Sequence, residues 1–152
     1  MTSDDLRTEI GIELAAMERL LKEILELSHD ISDRKPTVRE KTAAATFMAQ
    51  FYDGVENILK RISRFHRISL PTGDTWHVDL FRRFCEPSYE KLPVLFDKDL
   101  AVAMAAYRRF RHVVYHSYGF ELEWDRMKEG IRNVEKVFNL FKKKISEYVD
   151  DI

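Results

Sequence analysis

Arginine and histidine side chains bind phosphate and move protons, and one stretch of this chain concentrates both. Tyr107-Arg108-Arg109-Phe110-Arg111-His112-Val113-Val114-Tyr115-His116-Ser117-Tyr118-Gly119 carries three arginines and two histidines among aromatic and apolar residues. Arg111 and His116 are the pair with the most chemistry. Imidazole titrates near neutrality, so His116 could take the proton of a ribose 2′-hydroxyl or give one to a leaving oxygen. The guanidinium fork of Arg111 matches phosphoryl oxygens and would stabilise charge growing on them. Those parts suffice for cleavage of RNA without a metal. Spacing alone leaves a second reading open. A five-residue step on a straight helix turns two side chains about 140° apart, and such a pair also occurs on an ordinary solvated face. The two would converge if the helix ends near His116, as Gly119 suggests, or across a dimer interface.

Other chemistry has less support. Glu26-x-x-His29 is half of a di-iron signature whose second half is missing. Asp74-x-x-His77 falls at a loop-to-helix junction and is a poor substitute. His112 and His116 are four apart, but no His-Glu-x-x-His pattern and no cysteine pair supports zinc. The expectation is no metal and no cofactor, with these histidines on surfaces or at caps. Gly-x-Gly-x-x-Gly and Gly-x-x-x-x-Gly-Lys loops are both missing. Cys85, the single cysteine, reads as a semi-buried filler and permits no internal disulfide, which fits a reducing cytoplasm.

Long helices are expected to position the Arg–His stretch. Ile10, Leu14, Met17, Leu21, Ile24 and Ile31 step by threes and fours along a first helix from about Asp4 to Ile31, capped by Ser3 or Asp4 and widened by Leu20, Leu25 and Leu27. Pro36 suits the first turn of a second helix reaching about Ile68. Val38, Ala44, Ala45, Met48, Phe51, Val55, Ile58, Ile62 and Phe65 trace its buried face, and Gly54 marks a candidate close contact. Its end is basic, with Lys60, Arg61, Arg64 and Arg67. Asp74 or Thr75 caps a short helix carrying Trp76, Leu80, Phe81 and Phe84. The penultimate helix starts after Asp97 and ends near Tyr118, with Leu100, Met104, Tyr107, Phe110, Val114 and Tyr118 along its inward stripe and Gly119 at a C′ position of positive φ. The last helix, from about Trp124 to Val149, presents Trp124, Met127, Ile131, Val134, Phe138, Phe141, Ile145 and Tyr148, with Lys142-Lys143-Lys144 as a solvated face. The fold class is all-α, an up-and-down bundle of four main helices plus a short one.

Composition agrees. Of 152 residues, 45% are hydrophobic and 34% charged, a globular balance, and only five glycines and four prolines interrupt the helices. One domain over residues 1–152 is expected, since no linker divides the chain. No apolar run approaches a membrane span, and the acidic start Met1-Thr2-Ser3-Asp4-Asp5 does not read as a signal peptide, so the expected location is cytoplasmic. Net charge is −1, so nucleic-acid binding would need local clustering of cations. Arg108 and Arg109, with Lys60, Arg61, Arg64 and Arg67, are the candidates, each with a solvated helix face as the alternative.

Arg111-His112-Val113-Val114-Tyr115-His116-Ser117-Tyr118 resembles the Arg-x(4–6)-His motif of HEPN domains, in the fuller Arg-x4-His-x-Tyr form of HepT-type toxins of HEPN/MNT toxin–antitoxin pairs. Phe51-Tyr52-x-Gly54-Val55-Glu56-Asn57-Ile58-Leu59, Leu70-Pro71-x-Gly73-x-x-Trp76-His77 and Tyr118-Gly119-Phe120-Glu121-Leu122-x-Trp124 extend the resemblance over roughly residues 45 to 145. It implies a HEPN-like helical fold that dimerises so that two motifs face one cleft, and a metal-independent endoribonuclease. Carried over, Arg111 and His116 are catalytic and His112 is the accessory polar residue of the catalytic set. Tyr118 matches the tyrosine that an MNT nucleotidyltransferase antitoxin modifies with AMP in some such systems, which would add phosphate charge beside the cleft and repel RNA. A second His116 from the partner copy would supply the second proton-transfer group. The alternatives are a HEPN module that binds RNA or nucleotide, or partners a nucleotidyltransferase, without catalysis, and a purely structural bundle.

Overall fold

A computed structural model describes all residues 1–152. Its first helix, α1 (Ser3–Asp30), begins one residue earlier than the polar run suggested. Thr2 is the cap: its Oγ1 accepts from the Asp5 N–H at 3.1 Å, and the Asp5 carboxylate accepts from the Thr2 N–H at 2.9 Å. Leu6, Ile10, Met17 and Ile24 are buried, whereas Leu25 turns to solvent and does not widen the stripe.

The second helix, α2 (Val38–Phe65), starts after Pro36 and not on it. Thr37 and Glu40 form a second reciprocal cap, at 3.2 and 2.9 Å, which satisfies the free N–H groups at the start and leaves Pro36 in the approach. Val38 is exposed, while Phe51, Tyr52, Val55, Ile58 and Ile62 are buried. This helix is central, packed against α1 on one side and α4 on the other. Gly54 permits the first of these contacts, because a Cβ there would sit 2.7 Å from Met17 Cγ. Arg61 is not a free cation: it pairs with Glu9 at 3.1 Å and Glu13 at 3.4 Å on α1.

Helix α3 (Trp76–Arg82) is one of the short pieces that close the bundle. Thr75 stands at its cap position without a capping hydrogen bond, and its hydroxyl donates to Asp79 at 3.0 Å. The N–H groups of Leu95 and Phe96 both donate to the Phe84 carbonyl, at 2.9 and 3.1 Å, which pins the irregular stretch that follows α3.

Helix α4 (Lys98–Tyr115) is capped by Asp97, whose Oδ1 accepts from the Leu100 N–H at 2.8 Å. Leu100, Met104 and Tyr107 are buried, and Phe110 and Val114 pack against the core at its edge. The Tyr107 hydroxyl donates to the Gly130 carbonyl at 2.7 Å and ties α4 to α5 (Trp124–Asp151). On α5 the whole stripe from Met127 to Tyr148 is buried as its period predicts. Lys142 is not simply solvated; it ion-pairs with Glu18 of α1.

The end of α4 departs from expectation. The helix stops at Tyr115, with His116 as its C-cap at φ −119°. Gly119 lacks positive φ, and Gly73 is the glycine that has it, at 94°. Gly119 instead opens a 3-10 turn, Gly119–Glu121, that lies against α2, where a Cβ would collide with Thr42 Oγ1. Glycine is needed there for close approach. Tyr118 lies outside the inward stripe, exposed to 71%.

Candidate functional site

The C-terminal half of α4 and the segment that leads into α3 face each other across a cleft of about 820 Å³. From α4 come Arg108, Arg109, Arg111, His112 and His116; from the opposite wall come Asp74, Trp76 and His77. Three arginines stand against one lining carboxylate, so the walls of the cleft carry more positive than negative side chains.

Arg111 is held by two neighbours. Its Nε donates to Asp53 Oδ1 on α2, and its guanidinium lies over the Tyr115 ring at 4.7 Å from the centroid. Neither contact uses Nη1 or Nη2, so the two terminal groups that form a bidentate fork are without a protein partner. Burial opposes the charge, but the hydrogen bond and charge of Asp53 outweigh it and raise the pKa above the ordinary arginine value.

His116 shares the cleft because α4 ends there. At the C-cap the backbone leaves helical geometry, so the angle of an ideal five-residue step does not apply. The His112 and His116 rings come within 4.4 Å between centroids, and both line the cleft with Arg111. The single chain therefore brings Arg111, His112 and His116 to one concavity.

Other expected site residues are distributed differently. Arg108 and Arg109 line the cleft, and Arg108 also covers the Phe81 ring at 5.2 Å. Arg64 is exposed near the end of α2 and does not line the cleft. Tyr118 lies outside it and stacks on Phe120, with centroids 5.4 Å apart and rings 5° from parallel. No three His, Cys, Asp or Glu side chains are grouped to hold a metal ion. No helix is long and apolar enough to cross a membrane.

Three residues beneath the cleft were not legible as site residues. Asp53 orients Arg111. Glu56, 3% exposed, accepts from His77 Nδ1 at 2.6 Å, so His77 is neither a cap nor a bystander. Burial pushes the Glu56 carboxyl above its ordinary value, against the opposing pull of His77, Arg111 and Lys60. Tyr52 is fully buried with its hydroxyl unpartnered, and burial pushes its phenol well above the usual range. The available signal was an acidic residue, Glu56, one turn after Tyr52 and between the apolar positions Val55 and Ile58.

A family model described as HepT-like protein matches residues 43–152, from the first third of α2 to the C-terminus. The chain belongs to the HepT-like family. The matched stretch of this HepT-like protein contains every cleft residue named above, while α1 precedes it. No curated protein and no solved structure matches the chain.

Proposed function

We propose that this HepT-like chain, acting as a single domain over residues 1–152, is a metal-independent endoribonuclease toxin. The observation that carries the reading is the shared cleft of Arg111 and His116, with the arginine's terminal nitrogens unengaged. In the reaction the ribose 2′ oxygen bonds to phosphorus and the P–O5′ bond breaks, leaving a 2′,3′-cyclic phosphate and a 5′-hydroxyl. Arg111 stabilises the charge that builds on the phosphoryl oxygens, His116 carries one of the two proton transfers, and His112 beside it assists as the accessory polar group. Arg108 and Arg109 hold the RNA backbone, with Arg64 further along its track.

In this reading the protein works as a homodimer in the cytoplasm and is silenced by an MNT-type nucleotidyltransferase antitoxin. Tyr118 is its target. A phenol exposed to 71% is open to an incoming enzyme, and an attached AMP would place phosphate charge near the cationic cleft.

The test is cleavage of total cellular RNA by purified protein in the presence of EDTA. Wild type is expected to leave cyclic phosphate ends, and Arg111→Ala and His116→Ala to lose at least about 100-fold in rate with unchanged melting. RNA that is bound and left uncut by wild type supports the non-catalytic module instead.

A further inference from the structure

Cleavage by transphosphorylation needs two proton transfers, one from the 2′-hydroxyl and one to the 5′ oxygen, and the Arg–His motif of one protomer accounts for one. A second imidazole stands in the same cleft. His77 lines it together with Arg111, His112 and His116. Unlike those of the motif histidines, its ring is bonded to a buried carboxylate.

Glu56 and Ser63 are the polar residues of the buried set. Ser63 is satisfied within its own helix, donating to the Leu59 carbonyl at 2.9 Å. Glu56 makes its one side-chain hydrogen bond to His77, at 2.6 Å between Oε2 and Nδ1. A carboxylate only accepts, so Nδ1 carries the hydrogen and Nε2 is left with a lone pair. The face of the imidazole is held as well: the Trp76 ring lies against it with centroids 3.5 Å apart, and Lys60 covers Trp76 at 4.6 Å. The ring is fixed on one edge and one face and is open to the cleft elsewhere.

The geometry points to His77 as the general base of the cleft, positioned by Glu56, with His116 as the general acid. This rests on the endoribonuclease reading. His77 Nε2 takes the proton of the 2′-hydroxyl as that oxygen bonds to phosphorus. The P–O5′ bond breaks, and the 5′ oxygen receives a proton from the His116 imidazolium. Glu56 fixes the tautomer that leaves Nε2 free and stabilises the imidazolium that forms on His77, as the aspartate does in a Ser-His-Asp triad. Both imidazoles then come from one chain, and the second copy is not required to complete the acid–base pair.

A mere tether between α3 and α2 would also keep His77 and Glu56 together, so the test separates chemistry from structure. Cleavage sites are mapped on total cellular RNA. An oligonucleotide spanning one site is then made with sulfur in place of the 5′ bridging oxygen. Sulfur leaves without being protonated, so it bypasses the acid and not the base. His77→Ala is expected to be slowed by about 100-fold or more on both substrates. His116→Ala is expected to be slowed on the oxygen substrate and restored towards wild type on the sulfur one. Should His77→Ala melt early, His77→Asn and Glu56→Gln take its place; each is expected to lower kcat by at least about tenfold with little change in KM. Wild-type kcat in a folded His77 variant, or sulfur rescue of it equal to that of His116→Ala, overturns the assignment. If Arg111→Ala and His116→Ala are themselves fully active, the endoribonuclease reading falls. If those two are dead and His77→Ala is not, this inference alone falls.

Discussion

Arg111 Nε is bonded to the Asp53 carboxylate of α2, across 58 positions of sequence, so the reach of the motif arginine is set by a residue outside the motif. An ion pair that is about a quarter to a third exposed, as this one is at 26% and 33%, contributes little stability, on the order of 0–1 kcal/mol. Its effect on position is larger, since a shift of about 1 Å at a reacting group costs about 100-fold in rate. Asp53→Ala is therefore expected to cut kcat for RNA cleavage by about 10- to 100-fold while thermal melting moves little. Arg111→Lys keeps a charge but has no Nε for Asp53 to hold, and is expected to be nearly as defective as Arg111→Ala. Wild-type kcat in Asp53→Ala would show that the pair does not orient the arginine.

Glu56 links the cleft to stability. Burial raises its carboxyl pKa above the ordinary 4.5, with His77 and Arg111 offsetting part of the effect. An acid whose pKa is raised on folding binds its proton more tightly in the folded state. Its contribution is fully present below about pH 4.5 and is lost as pH rises through the folded value. Glu56→Gln keeps an acceptor for His77 and cannot ionise. The melting temperature of Glu56→Gln minus that of wild type is expected to grow from about pH 4 to about pH 8. A difference that shrinks with rising pH would mean that pairing with His77 outweighs burial.

The parts of this fold that can be read from the chain are those set by local pattern. The stripe on α5 and the start of α4 after Asp97 are set by periodicity and by a helix boundary, and both are present as read. Arg111 and His116 could be named from residue type and from likeness to a motif, but their convergence could not, because it depends on where α4 stops. That end is not set by a left-handed glycine. Asp53, and the pairing of Glu56 with His77, could not be read for a related reason. Asp53 and Glu56 look like ordinary acids on a long amphipathic helix until α3 and α4 are packed on it. The Glu56–His77 bond spans 21 positions and joins two helices across a loop whose path no local rule dictates. Arg61 shows the reverse error: a basic residue at a helix end resembles a nucleic-acid contact until Glu9 and Glu13 are brought beside it.

Gly119 gives a test of the turn that carries Tyr118 away from α4. A methyl group at this position would collide with Thr42 Oγ1, which donates to the Val38 carbonyl at 2.8 Å in the first turns of α2. Two responses are available to Gly119→Ala. Thr42 can rotate and give up its hydrogen bond, at about 0.5–1.5 kcal/mol, or the 3-10 turn can lift off α2, at the overpacking cost of about 1–3 kcal/mol. Either way the variant is expected to lose about 1–2 kcal/mol in denaturant unfolding. Thr42→Ala removes the colliding oxygen and leaves only its Cβ, 3.4 Å from the added methyl, which is ordinary contact. The double variant Thr42→Ala/Gly119→Ala is therefore expected to be more stable than the sum of the single losses predicts. Strict additivity would show that the loss in Gly119→Ala does not arise from its contact with Thr42. Under the function proposed above, in which Tyr118 is the target of a nucleotidyltransferase, the same pair reports on function: if the turn lifts in Gly119→Ala, AMP transfer to Tyr118 should change in that variant and return in the double one.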